Sequence, residues 1–176
     1  MTTYYNINPR FYVSVDCIIF GFDKGSLKLL LLKRNFEPAK GSWSLMGGFV
    51  QDGESVDDAA KRVLAELTGL ENVYMEQVGT FGEVDRDPGE RVISVAYYAL
   101  ININEYDRNL VQQHNAHWAE INEIPPLVFD HSQMVNQARI MLQKKASSEP
   151  IGFNLLPSMF TLFQCKVCTK LSMGSL

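Results

Sequence analysis

Cysteine is scarce in this chain. Three in 176 residues cannot build a disulfide framework, so the sequence reads as a protein of a reducing compartment, the cytoplasm. Positive charge is scarce too. A net charge of -4 argues against a nucleic-acid surface, which would show as a basic excess. No apolar run is long enough to span a bilayer, and residues 1–10 lack the apolar core of a signal peptide, so no membrane partner is expected. His114, His117 and His131 lack metal-ligand spacing and are given no role. Cys165 and Cys168 form a C-x-x-C with no second pair, a weak metal or redox signal.

What is present is an ordinary globular composition, 46% hydrophobic and 20% charged, in a length that suits one domain with a short appendage. The chain is organised around residues 48–70, GFVQDGESVDDAAKRVLAELTGL. Ser55 suits a helix N-cap, and Asp58 three residues on can act as a short capping-box acid. Asp57 and Asp58 suit the positive end of the helix dipole, and Gly69 can take the left-handed conformation that stops a helix. A helix over 56–68 is predicted.

Gly48, Glu54, Arg62, Leu64, Glu66, Gly69 and Leu70 stand at the spacing of the Nudix box, and the stretch resembles that family. In the family an Arg-Glu pair is followed by a Glu-Glu pair, and three glutamates at i, i+3 and i+4 share one helical face, where they hold magnesium against a pyrophosphate. Here those positions are Val63, Glu66 and Leu67. Upstream, Trp43-Ser-Leu-Met-Gly-Gly48 is similar to the family's Trp-x-Leu-Pro-Gly-Gly, with Met46 in place of proline. Gly47 and Gly48 are expected to turn tightly and approach a ligand.

Strands are predicted over 11–22 and 27–34, joined by a turn at 23–26, and the second, apolar on both faces, is expected to be central. Cys17 reads as a small core residue. Further strands are predicted over 73–81, 92–103 and 116–120, and an amphipathic helix over 130–145. These elements fit a mixed sheet between helices, and the resemblance implies the same α/β fold, the Nudix-type α/β/α sandwich, over residues 1–148.

Residues 149–163 resemble the linker that opens a DNA-binding winged helix in Nudix-related transcriptional regulators. The family peptide there, Q-L-Q-S-L-Y-E-A-I-Y-G, becomes Q-C-K-V-C-T-K-L-S-M-G when one T is deleted from its second codon in a suitable reading. That is residues 164–174. Residues 164–176 are therefore expected to be an out-of-frame tail and the winged helix to be truncated. Reading the gene beyond codon 164 tests this.

With two carboxylates replaced by hydrocarbon, Glu66 and Glu54 are the remaining metal candidates, and a loop carboxylate does not rebuild a three-glutamate face. The expectation is a small-molecule sensor with no cofactor and no confident catalytic residue. The alternative is a magnesium-dependent hydrolase of a nucleoside diphosphate linked to another moiety. The resemblance leans to the arabinose-responsive regulators, with ADP-ribose as the other ligand. It implies a homodimer that contacts DNA only through the winged helix. Arg34, Phe36, Trp43, Glu66, Arg86 and Arg91 are the candidate ligand-binding residues. Arg62 reads as structural, holding the loop through Glu54.

Overall fold

The computed structural model describes residues 4–23, 26–71, 73–103 and 108–148. The expected linker and tail at 149–176 lie outside the described residues.

After a short 3-10 turn at Tyr4–Ile7, the strands are β1 (Tyr12–Asp23), β2 (Ser26–Lys33), β3 (Trp43–Ser44), β4 (Met46–Phe49), β5 (Met75–Phe81), β6 (Val92–Asn102) and β7 (Ala116–Glu120). The helices are α1 (Val56–Thr68), α2 (Arg108–Gln113) and α3 (His131–Ser148). The sheet runs β3-β2-β1-β6-β5, with β4 added against β1 and β7 against β2. Among the described strands β1 and β6 pair in parallel and the other pairs are antiparallel, which makes the sheet mixed.

Side-chain alternation divides the long strands between two cores. Val15, Cys17 and Ile19 of β1 join Val95, Tyr97 and Ala99 of β6 beneath Ala60, Val63, Leu64 and Leu67 of α1. Ile18 and Phe20 join Ala96 and Tyr98 against Met134, Val135, Ala138 and Leu142 of α3. The result is the expected α/β/α sandwich. Cys17 is fully buried with a free thiol.

Local signals set the α1 ends. Ser55 Oγ accepts from the Asp58 amide at 3.1 Å, and Gly69 stops the helix at φ 70°. The Asp58 carboxylate reaches back to Ser55, whose backbone and side-chain bonds hold its pKa below the ordinary value. It accepts from the Ser55 hydroxyl at 2.7 Å. One expectation is corrected: Gly47 and Gly48 do not turn. They lie inside β4, paired with Asp16 and Val15 of β1. The glycine is needed at 47 for closeness, since a Cβ there would lie 2.5 Å from Asp16 Oδ1 and 2.7 Å from the Val15 carbonyl oxygen.

Candidate functional site

The even-numbered positions that send Ile18 and Phe20 toward α3 also place Asp16 and Ser94 on that side of the sheet. Asp16 is a carboxylate within the apolar part of β1, and its burial has to be compensated. Its Oδ2 accepts from Ser94 Oγ at 2.6 Å and from Arg86 Nη2 at 3.5 Å. Arg86 arrives from the loop between β5 and β6 and donates a two-point bond to Asp130, at 2.8 and 2.7 Å, immediately before α3. Burial pushes this guanidinium down, but the Asp130 bonds and the Asp16 charge outweigh it and leave Arg86 above its ordinary value. One arginine thus joins the sheet, a loop and a helix start.

His131 completes the floor. The Leu45 amide donates to its Nδ1 at 3.0 Å, so the ring proton sits on Nε2, which faces Asp16 Oδ1 at 3.6 Å. Burial lowers the imidazole pKa from its ordinary 6.5, against the opposing pull of Asp16 and Asp130. Because the folded value is depressed, the unfolded chain takes up a proton first as pH falls. Stability from this group is intact above 6.5 and is lost as pH drops below it toward the folded value. Denaturant melts at several pH values from neutral to mildly acid should show this decline, and a His131→Gln variant should show less of it. Identical profiles would contradict the assignment.

Of these groups, Asp16, Arg86 and His131 line the floor of a cavity of about 440 Å³. At its mouth Arg34 donates through Nε to the Pro38 carbonyl at 2.8 Å, and its guanidinium lies 4.3 Å from the Phe36 ring and 5.3 Å from that of Phe129. Burial lowers the Arg34 pKa, countered by Asp87, Asp16 and Glu37. Phe129 sits at φ 53°, a strained conformation for a bulky residue, held between the Val128 amide bond to Trp43 and the start of α3.

Among the expected ligand-binding residues, Arg34, Phe36 and Arg86 line this cavity, and Gly48 of the box does as well. Trp43, Glu66 and Arg91 do not, and their placement is corrected. Trp43 packs edge-on to His117 with Lys33 over its ring. Arg91 turns outward to the carbonyls of Gly82 and Glu83 and stacks over Phe11. Sequence reasoning passed over Asp16, Phe129, Asp130 and His131. The one available signal was the charge at Asp16 inside an apolar run. Metal-ligand spacing is no guide to His131, whose role here is a backbone contact with Leu45.

The box carboxylates lie outside this cavity. Arg62 grips Glu54 through two bonds, at 3.0 and 2.7 Å, and bonds the Phe49 carbonyl, which makes it the expected loop tie. That grip holds the Glu54 carboxyl below its ordinary range. Glu66 is exposed and lies 3.6 Å from Arg62. Val63 and Leu67 are buried in the α1 core. Among the described residues no three His, Cys, Asp or Glu side chains come together as a metal cradle. The family's three-glutamate metal site therefore does not fit the residues that stand there.

The NUDIX domain model matches residues 10–140. The ADPR responsive transcriptional repressor NtrR of Acinetobacter baylyi is 32% identical over 170 residues, 94% of this chain and 68% of that protein. The ADP-ribose pyrophosphatase of Methanocaldococcus jannaschii is 32% identical over 126 residues, 72% of this chain and 74% of its own. Crystal structures of Shewanella oneidensis NrtR, alone and with a 27mer DNA, superpose with TM-scores of 0.85 and 0.84 at 30% identity, over 92% and 91% of this chain and 77% and 75% of theirs. Its NUDIX domain complexed with ADP ribose superposes with a TM-score of 0.65 at 29% identity, over 80% of this chain and 94% of that one.

The expectation that no cofactor is involved is corrected by these relatives. One relative 32% identical to this chain is an ADP-ribose pyrophosphatase. The bifunctional NMN adenylyltransferase/ADP ribose pyrophosphatase of Francisella tularensis was solved with AMP and a Mn ion. It shares the fold at a TM-score of 0.60 and 22% identity, over 78% of this chain and 43% of its own. No helix among the described residues is long and apolar enough to cross a membrane. On the extent of the domain match and on its relatives, the chain belongs to the Nudix family.

Proposed function

We propose that this chain is the effector-binding Nudix domain of a transcriptional regulator and that its ligand is ADP-ribose or a close nucleoside-diphosphate sugar, held in the cavity between β1, β4, the loop carrying Arg86 and the start of α3. The observation that carries the reading is the burial of Val63 and Leu67, at 3% and 8% exposure, where a hydrolase of this family keeps acids. Hydrocarbon packed into the α1 core leaves the box with two carboxylates, Glu54 and Glu66, both paired with Arg62. A divalent ion at a phosphate needs several hard oxygen ligands.

The names of the relatives support ADP-ribose over the arabinose expected from sequence. The effector domain acts in the cytoplasm as a homodimer, and DNA contact belongs to the winged-helix part of such regulators rather than to this domain. The second reading, hydrolysis of ADP-ribose, is favoured by the identity to the archaeal pyrophosphatase. Titration calorimetry with ADP-ribose, with and without magnesium, tests the proposal. Saturable binding is expected, with the nucleotide recovered intact by chromatography afterwards. Absence of binding, or recovery of mostly AMP, would overturn it.

A further inference from the structure

We infer that Asp16 and His131 are built to take a sugar hydroxyl, so that an ADP-ribose-like ligand enters ribose first and leaves its diphosphate at the mouth beside Arg34. This rests on the reading of the cavity as the ligand site. Asp16 Oδ1 and the proton-bearing Nε2 of His131 face each other at 3.6 Å, just beyond a full hydrogen bond, and neither makes a closer one among the described residues. The two side chains are only 10% and 4% exposed, and both line the cavity. Buried polar groups are normally satisfied, so a donor and an acceptor that face each other without closing a hydrogen bond leave a place for a group that bridges them.

That partner must accept from nitrogen and donate to a carboxylate at once. A hydroxyl does both. A phosphate oxygen cannot donate in its charged form, and its charge would face the Asp16 carboxylate at close range. The acceptor is held in place. Its second oxygen is fixed by Ser94 and Arg86, and Gly47 lies so near Oδ1 that a Cβ there would come within 2.5 Å of it. Arg34 at the mouth offers the complementary chemistry. Its Nε is spent on the Pro38 carbonyl and its faces lie against Phe36 and Phe129. Its terminal nitrogens make no hydrogen bond among the described residues, which leaves a fork for an anionic group.

The test compares ADP-ribose, ADP and D-ribose by calorimetry on the intact chain, with Asp16→Asn alongside and its fold checked by circular dichroism. ADP-ribose should bind about tenfold or more tightly than ADP, the cost of leaving a buried charged acceptor unpartnered. Asp16→Asn should narrow that ratio. Saturation-transfer NMR of bound ADP-ribose keeps the test open where the variant does not fold: the terminal ribose protons should saturate more strongly than the adenine protons. Equal affinity for ADP and ADP-ribose, or adenine saturating first, overturns this inference and leaves the proposed function standing. D-ribose binding as tightly as ADP-ribose keeps the hydroxyl contact and removes the role of Arg34. No binding of ADP-ribose removes the reading beneath both.

Discussion

Arg86→Met is expected to lower the unfolding free energy by about 3–5 kcal/mol, because it strips the counter-ion from two buried carboxylates. Methionine keeps much of the length and apolar stem but none of the donors. Asp130 then loses a two-point bond, and Asp16 keeps only Ser94 and a distant imidazole. The penalty comes from the unpaired acids, not from an intrinsic strength of the bridge, so Asp130→Asn in the Arg86→Met background should recover part of the loss. Arg86→Lys should fall between, since an ammonium cannot reproduce the fork. Arg91→Met is the control from the same loop. Its bonds go to exposed loop carbonyls, and about 1 kcal/mol or less is expected. Urea melts of the set check the order, and equal losses at 86 and 91 would contradict the geometry.

Gly47→Ala is expected to cost about 1–3 kcal/mol and to weaken ligand binding as well. The added methyl meets Asp16 Oδ1 at 2.5 Å and the Val15 carbonyl at 2.7 Å, so either the pinned carboxylate or the β1 backbone has to move. Both are part of the cavity floor. Gly48→Ala next door meets the Val63 side chain at 3.0 Å, on the α1 side of the sheet, and should disturb the ligand site less. Chemical denaturation and ADP-ribose titration of the two variants together separate the effects. A Gly47→Ala protein with unchanged affinity would show that the floor is not where ligand sits.

Both variants probe features that the sequence reveals unevenly. The α1 helix is legible because its signals are local: Ser55, Asp58 and Gly69 act within a turn of themselves. The long strands are legible because β-branched and aromatic runs suit a sheet buried on both faces. The site is different. Asp16, Arg86, Asp130 and His131 come from a strand, a loop and a helix start, up to 115 positions apart by their numbers (131 - 16), and no short pattern encodes their meeting. The loop 82–91 shows the difficulty best. Arg86 and Arg91 look alike in sequence, yet one turns into the protein and the other turns out. The strand β4 was hidden for a related reason. Paired glycines are common turn formers, and only the neighbouring strand shows that Gly47 is there to let β1 come close.

The box also has a physical consequence beyond its lost acids. Val63 and Leu67 lie on the α1 face that packs over Val15, Cys17 and Ile19, so the helix that would hold metal in a hydrolase is spent on the core. The cavity lies by the other helix, against the start of α3, and its floor joins the sheet to that helix through Arg86 and Asp130.

The central claim is that this Nudix domain holds ADP-ribose without cutting it. Phosphorus NMR of ADP-ribose mixed with the protein and magnesium, followed over hours, measures both halves in one sample. The account predicts diphosphate resonances that broaden and shift on binding and keep their integral, with at most a trace of AMP and ribose phosphate. Sharp, unshifted resonances, or steady growth of the two monophosphate signals at the expense of the diphosphate, would contradict it.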